Sequence, residues 1–117
     1  MGYIAVDFDR TLAVYDHYEG PDKLGEPIPK MVKRVKKWLA EGKEVKIMTA
    51  RVSHFNHNTD EIQKARLAIQ KWCIKHLGEP LDVTCEKDYE MIELWDDRAV
   101  GVIPNTGERV DGKEDED

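Results

Sequence analysis

In Tyr3-Ile4-Ala5-Val6-Asp7-Phe8-Asp9-Arg10-Thr11 an apolar run near the N-terminus leads into two aspartates. The apolar run over residues 3–8 predicts a strand buried on both faces. Asp7 and Asp9 are two residues apart, so their carboxylates leave the strand on the same face. Two like charges this close are unfavourable unless a cation neutralises them or one takes up a proton. Oxygen-ligated Mg²⁺ fits such a pair, and a carboxylate beside it can accept a phosphoryl group.

Strand-like and helix-like segments alternate along the rest of the chain. Strands are predicted at residues 3–8, 44–48, 81–85 and 91–95, with a candidate fifth at 100–103. Between them, one helix is predicted from Pro29 to Gly42 and another from about residue 58 to Gly78, with Glu61 capping back on its first turn. This alternation predicts an α/β fold: a three-layer sandwich around a central, mostly parallel, Rossmann-like sheet.

Length and composition bound the class of protein. The chain has 117 residues, 36% of them charged and 40% hydrophobic, which predicts one globular domain over 1–110. Residues 111–117 carry five acids and one base and predict a disordered acidic tail. The net charge of −6 gives no support for strong non-specific nucleic-acid binding. No apolar run approaches a membrane span, no signal peptide is evident, and Cys73 and Cys85 fit reduced thiols of a cytoplasmic protein.

Polar side chains follow three of the predicted strands at the points where they end. They are Asp7 with Asp9, then Thr49, then Asp96 with Asp97. Ligands of parallel sheets bind off the carboxyl ends of the strands. If the three strands are neighbours, these side chains therefore meet in one cleft.

At these residues the chain resembles the haloacid dehalogenase-like superfamily of phosphatases and phosphotransferases. Asp7-Phe8-Asp9-Arg10-Thr11 matches its first motif, D-x-D-x-T after a strand. Val45-Lys46-Ile47-Met48-Thr49 matches the second, a Thr or Ser that ends an apolar strand, and Ile92-Glu93-Leu94-Trp95-Asp96-Asp97 matches the fourth, an acidic pair after a strand. The resemblance extends over about residues 3–104.

The resemblance implies a role for each matched residue. Asp7 would be the nucleophile, and Asp9 the general acid and base, with its backbone carbonyl a metal ligand. Thr49 would bind a phosphoryl oxygen. Asp97 would be a direct ligand of Mg²⁺ and Asp96 a nearby one.

The third motif of that superfamily is a lysine that neutralises the phosphate. Lys87, nine residues before Asp96, is the candidate for it, with Lys75 as a second choice. Position 10 carries Arg where many members have Gly, so Arg10 either contacts substrate phosphate or points outward. The segments Thr49-Ala50-Arg51 and Asp97-Arg98-Ala99 resemble small phosphatases of nucleotides and nucleic-acid ends, which makes Arg51 a second candidate for substrate binding.

The chain has no room for a cap domain. Residues 13–27, which include Gly and Pro, predict only a short flap loop. The flap residues Tyr15, His17 and Tyr18 either stack on a substrate base or pack the loop down. Capless members of the superfamily have open sites that accept bulky substrates or are covered by a neighbouring subunit, so a homo-oligomer is one expectation.

Together these features predict an Mg²⁺-dependent phosphate monoester hydrolase that acts through an aspartyl-phosphate. Its expected substrate is a phosphorylated small molecule, a nucleotide or a nucleic-acid end. Two alternatives stay open at this point: a phosphotransferase, in which an alcohol replaces water, and a non-catalytic phosphate-binding module on the same scaffold.

Overall fold

The computed structural model of the chain describes residues 2–113. Its elements are β1 (Tyr3–Asp7), α1 (Pro29–Ala40), β2 (Val45–Met48), a short 3₁₀ helix (Ala50–Val52), α2 (Thr59–Leu77), β3 (Asp82–Thr84) and β4 (Met91–Trp95). The four strands form one sheet in the order β3-β2-β1-β4, and every neighbouring pair is parallel. The predicted Rossmann-like α/β fold without a cap domain is confirmed.

Both helices pack on one face of this sheet. Alternate strand residues point to that face and share a single core with the helices, which comprises Ile4, Val6, Val45, Ile47 and Val83 from the strands, Met31 and Val35 from α1, and Ile62, Ala65 and Ile69 from α2. The step from β1 to β2 and the step from β2 to β3 run in the same direction across the sheet. Right-handed crossovers therefore bring α1 and α2 to the same side.

The other face of the sheet departs from the predicted three-layer arrangement. The connection from β3 to β4 spans only residues 85–90, too few for a crossover helix, so no helix covers that face within residues 2–113. Ala5 is paired with Lys46 and Leu94 there, and the ammonium of Lys46 lies 4.3 Å from the centre of the Tyr3 ring. The long stem of Lys46 thus does part of the covering that a helix does in a doubly wound fold.

The helix ends follow the local sequence. The Asn58 side chain accepts a hydrogen bond from the backbone of Glu61, and the Glu61 side chain accepts one from the backbone of Asn58, which is the predicted capping box. Gly78 ends α2 in the left-handed conformation, with φ +94°. Pro29 begins α1, and the helix ends at Ala40, two residues before Gly42.

Within the described residues, no helix combines the length and apolarity needed to cross a membrane.

Two predictions concern the C-terminal part of the chain. The candidate fifth strand at 100–103 is wrong, because Val102 pairs only with Arg109 in a local antiparallel bridge. The backbone N–H of Ile103 donates to the carbonyl of Glu108, and that of Val110 donates to the carbonyl of Gly101. These backbone groups therefore pair within the local turn and not with the sheet. In the predicted acidic tail, Asp111 forms an ion pair with Arg109 at 2.8 Å, and residues 114–117 lie outside the described part.

Candidate functional site

A cleft of about 380 Å³ lies at the carboxyl ends of β1, β2 and β4. The chain runs from β1 to β2 on one side of the sheet, and β4 pairs with β1 on the other side. The strand order therefore reverses between β1 and β4, which is where parallel sheets form a crevice for ligands. Asp7 ends β1 in this crevice, and Asp96 and Asp97 directly follow β4.

Three carboxylates meet at this point. Each of Asp7, Asp96 and Asp97 has an oxygen within 4.8 Å of an oxygen of the other two. Burial, a hydrogen bond with Asp97 and the charges of Asp96 and Asp97 together raise the pKa of the Asp7 carboxyl to about 7. The cluster is thus a crowded set of hard oxygen atoms, the donor type that Mg²⁺ binds in proteins.

Thr11 joins two members of this cluster. Its hydroxyl lies 3.3 Å from Oδ2 of Asp7 and 3.5 Å from Oδ1 of Asp97, and it accepts a hydrogen bond from the backbone N–H of Asp97 at 3.2 Å. The hydroxyl therefore ties the loop after β1 to the loop after β4. The sequence motif contains this threonine, but its spacing alone does not reveal the bridge across 86 positions of the chain.

Arg10 points toward the acidic cluster rather than away from it. Its Nε lies 3.3 Å from Oδ2 of Asp97, and its side chain is half exposed. The residue holds a left-handed backbone with φ +73°, a conformation that glycine adopts without strain. The side chain therefore does not point outward, and its contact with substrate phosphate stays a prediction.

Asp9 does not belong to the carboxylate cluster. Its two oxygens face the guanidinium of Arg51, with Nε at 2.8 Å from Oδ2 and Nη2 at 3.1 Å from Oδ1. Arg51 is buried, and the other two hydrogen bonds of its guanidinium go to carbonyl groups of the flap loop, those of Gly20 and Lys23. The structure thus gives Arg51, expected to bind substrate, a carboxylate partner inside the protein.

Thr49 lies at the end of β2 on the wall of the cleft, as predicted. It is buried, and its hydroxyl accepts a hydrogen bond from the backbone N–H of Arg51 at 3.1 Å. That bond caps the 3₁₀ helix and fixes the backbone from which the Arg51 side chain extends. This bond uses the hydroxyl oxygen as an acceptor and does not use the hydroxyl hydrogen.

Lys87, by contrast, is exposed in the loop between β3 and β4 and is not part of the cleft wall. Lys75 is exposed near the C-terminal end of α2 and is also outside the wall. Over residues 2–113 the cations that line the cleft are three arginines, Arg10, Arg51 and Arg98. The backbone N–H of Arg98 bonds the Asp96 carboxylate at 2.8 Å, which helps to hold the loop after β4.

Aromatic and amide side chains also line the cleft. Tyr15 and Tyr18 come from the flap, and Asn56 and His57 from the loop after the 3₁₀ helix. The rings of Tyr18 and His57 lie 5.6 Å apart, and Tyr18 is 42% exposed. This part of the cleft combines the predicted flap aromatics with Asn56, which carries no motif and could not be identified from the sequence.

Comparisons with known proteins inform the fold but not the site. No protein-family profile matches the chain, and no curated protein matches it. A solved structure described as that of a conserved protein from Bacteroides thetaiotaomicron is similar to it, with a TM-score of 0.55 and 22% sequence identity. The similarity covers 89% of this chain and 82% of the other, and at this identity it indicates a shared fold only.

Proposed function

We propose that the protein is a phosphate monoester hydrolase of the haloacid dehalogenase-like type. The observation that carries the proposal is the meeting of Asp7, Asp96 and Asp97 at the strand-order reversal between β1 and β4. Asp9 stands two residues after Asp7, and Thr49 lies on the same cleft wall. In the proposed reaction Asp7 is the nucleophile, Asp9 the proton donor and Thr49 the ligand of the phosphoryl group.

The three clustered carboxylates suit a divalent cation. Their oxygens are close enough to share one ion, and the raised pKa of Asp7 reflects charge that such an ion would offset. An Mg²⁺ ion held by these residues would neutralise charge on both the nucleophile and the phosphate.

The residues divide the chemistry between two steps. In the first, an oxygen of Asp7 forms a bond to phosphorus while the bond to the leaving oxygen breaks, and Asp9 gives that oxygen a proton. In the second, Asp9 takes a proton from water, the water oxygen bonds to phosphorus, and the bond to Asp7 breaks to release inorganic phosphate. The Thr49 hydroxyl donates a hydrogen bond to a phosphoryl oxygen throughout.

The proposed substrates are nucleotides or phosphorylated nucleic-acid ends. The exposed ring of Tyr18 offers a surface on which a base can stack, and Arg10 and Arg98 offer cations to an anionic substrate. An open cleft without a cap accepts a bulky leaving group. The net charge of −6 fits recognition of an end rather than binding along a duplex.

The proposal also includes self-association and a cytoplasmic location. A second copy could cover the open cleft, and sedimentation at several concentrations tests this. The two cysteines are both unpaired in the described residues, which supports a reducing compartment.

Phosphate release from a panel of substrates tests the proposed function. The panel contains mononucleotides, oligonucleotides phosphorylated at the 3′ or 5′ end, and small phosphate esters, each with Mg²⁺ and with a chelator. We expect Mg²⁺-dependent release that Asp7→Asn abolishes, whereas Asp82→Asn, an exposed residue at the start of β3, retains it. Turnover only with an added alcohol would indicate a phosphotransferase, and Mg²⁺ binding without turnover a binding module.

A further inference from the structure

Arg51 is a buried cation in the candidate site, with only 5% of its surface exposed. Two parallel hydrogen bonds, at 2.8 and 3.1 Å, join its Nε and Nη2 to the two carboxylate oxygens of Asp9. A bidentate pair of this kind fixes the plane of the carboxylate as well as its position. The Asp9 side chain therefore has its orientation set by Arg51.

The same guanidinium holds the flap loop. Its Nη1 donates to the carbonyl of Gly20 at 2.9 Å, and Nη2 donates to the carbonyl of Lys23 at 3.3 Å. The rings of Tyr15 and Tyr18 lie 5.9 and 5.3 Å from its central carbon. Four of the five N–H groups are thus engaged inside the protein, and no pair of donors is left for a phosphate.

We propose that Arg51 is a positioning residue that holds the Asp9 carboxylate and the flap loop in one arrangement. The inference rests on the proposed function, in which Asp9 transfers a proton to the leaving oxygen. Each carboxylate oxygen has two lone pairs, and Arg51 occupies one on each. The remaining lone pairs face away from the guanidinium, so Arg51 sets the direction in which Asp9 exchanges a proton without touching substrate.

The leaving group of the substrate separates this role from a general structural one. An alkyl phosphate needs a proton on its leaving oxygen, whereas p-nitrophenolate leaves without one. We therefore expect Arg51→Gln to lower kcat by about 100-fold for an alkyl phosphate and by less than about tenfold for p-nitrophenyl phosphate, with KM nearly unchanged. Asp9→Asn should show the same selectivity, and the double variant should be no slower than Asp9→Asn alone.

Two further variants serve as controls. Arg51→Lys keeps the charge but not the planar fork, so we expect it to restore little of the lost activity. Arg66→Gln removes a half-buried arginine that, like Arg51, donates to a backbone carbonyl, in this case that of Val83. Arg66 does not line the cleft. Any loss in Arg66→Gln should be equal for both substrates.

Hydrogen exchange tests the hold on the loop independently of activity. Arg51→Gln should speed amide exchange in residues 13–27, whereas Asp9→Asn leaves the two loop carbonyl bonds in place and should not. Unchanged loop exchange in Arg51→Gln would overturn the inference for the loop. Equal losses on the two esters, or a raised KM at constant kcat, would overturn it for Asp9. A wild type that releases no phosphate from any ester would instead remove the proposed function, and the role in proton transfer with it.

Discussion

Arg10 combines a strained backbone with an ion pair in the acidic cluster. A left-handed conformation costs a residue with a Cβ about 1–2 kcal/mol relative to the right-handed one. Arg10 has a φ of +73°, and its Nε lies 3.3 Å from Oδ2 of Asp97. The guanidinium offsets negative charge at the same carboxylate that is proposed to bind Mg²⁺. Arg10 and the metal therefore compete for Asp97.

Replacing Arg10 tests that competition. Arg10→Gly removes the competing cation, and we expect the dissociation constant for Mg²⁺, measured by titration calorimetry, to fall by about two- to fivefold, the size of a half-exposed ion pair. Arg10→Lys keeps the charge and should bind Mg²⁺ as the wild type does. Weaker Mg²⁺ binding by Arg10→Gly would mean that Arg10 supports the metal site rather than opposing it.

The sequence predicts the meeting of Asp7, Asp96 and Asp97 because each stands at or just after the end of a strand, and parallel strands end at one edge of the sheet. It does not predict the pair between Asp9 and Arg51. Those residues are 42 positions apart, and their contact depends on where the flap loop puts its carbonyls. The cleft wall contains arginines rather than Lys87 for a similar reason, since loop conformation is not encoded by spacing.

The flap is a loop held at both ends. Ala13 pairs with Pro27 across its base, and the backbone N–H of Val14 donates to Glu26 at 2.8 Å. The indole of Trp72 donates to the carbonyl of Gly25 at 3.0 Å, which ties the loop to α2. The two ends of the loop approach so closely at Gly25 that a Cβ there would lie 1.7 Å from the carbonyl oxygen of Val14.

Adding that Cβ should displace the flap. We expect Gly25→Ala to reduce the free energy of unfolding by about 1–3 kcal/mol in denaturant titrations and to lower phosphate release, because the loop that Arg51 holds must shift. Gly42→Ala is the matched control: φ is +80° there and no atom lies within 4 Å of the added Cβ. It should reduce stability by about 1 kcal/mol through backbone strain and leave activity intact. Equal activity losses in the two variants would contradict a role for the flap in the site.

The helices were the more predictable elements. Asn58, Glu61 and Gly78 bound α2 through hydrogen bonds and a left-handed turn that depend on residues close in sequence. The sequence wrongly predicts a strand at 100–103 because the apolar residues there follow the same pattern as those of a sheet strand. Whether such a segment joins a sheet depends on a free edge in the right place, which is a property of the whole fold.

The candidate site and the stability of the fold are linked through the charge of Asp7. The pKa of the Asp7 carboxyl has its ordinary value of 3.8 in the unfolded chain and is raised to about 7 in the folded protein. The folded state therefore binds this proton more tightly than the unfolded state does. The stability that the proton supplies is fully present below the unfolded value and is lost as the pH rises through the folded value.

This linkage gives an expectation for stability as a function of pH and Mg²⁺. Without metal, the wild type should lose stability relative to Asp7→Asn, which has no charge at this position, as the pH rises from about 4 to about 7. Mg²⁺ should raise the melting temperature of the wild type more at about pH 8 than at about pH 5, because binding requires the ionised cluster, and should raise that of Asp7→Asn much less. Urea titrations and thermal melts of both proteins, with Mg²⁺ or a chelator, measure the two effects, and Ca²⁺ tests whether ion size matters. A difference in stability between the wild type and Asp7→Asn that stays constant across this pH range would contradict the expectation. It would mean that folding does not disfavour the charge of Asp7, and that the repulsion expected of a cation site is absent.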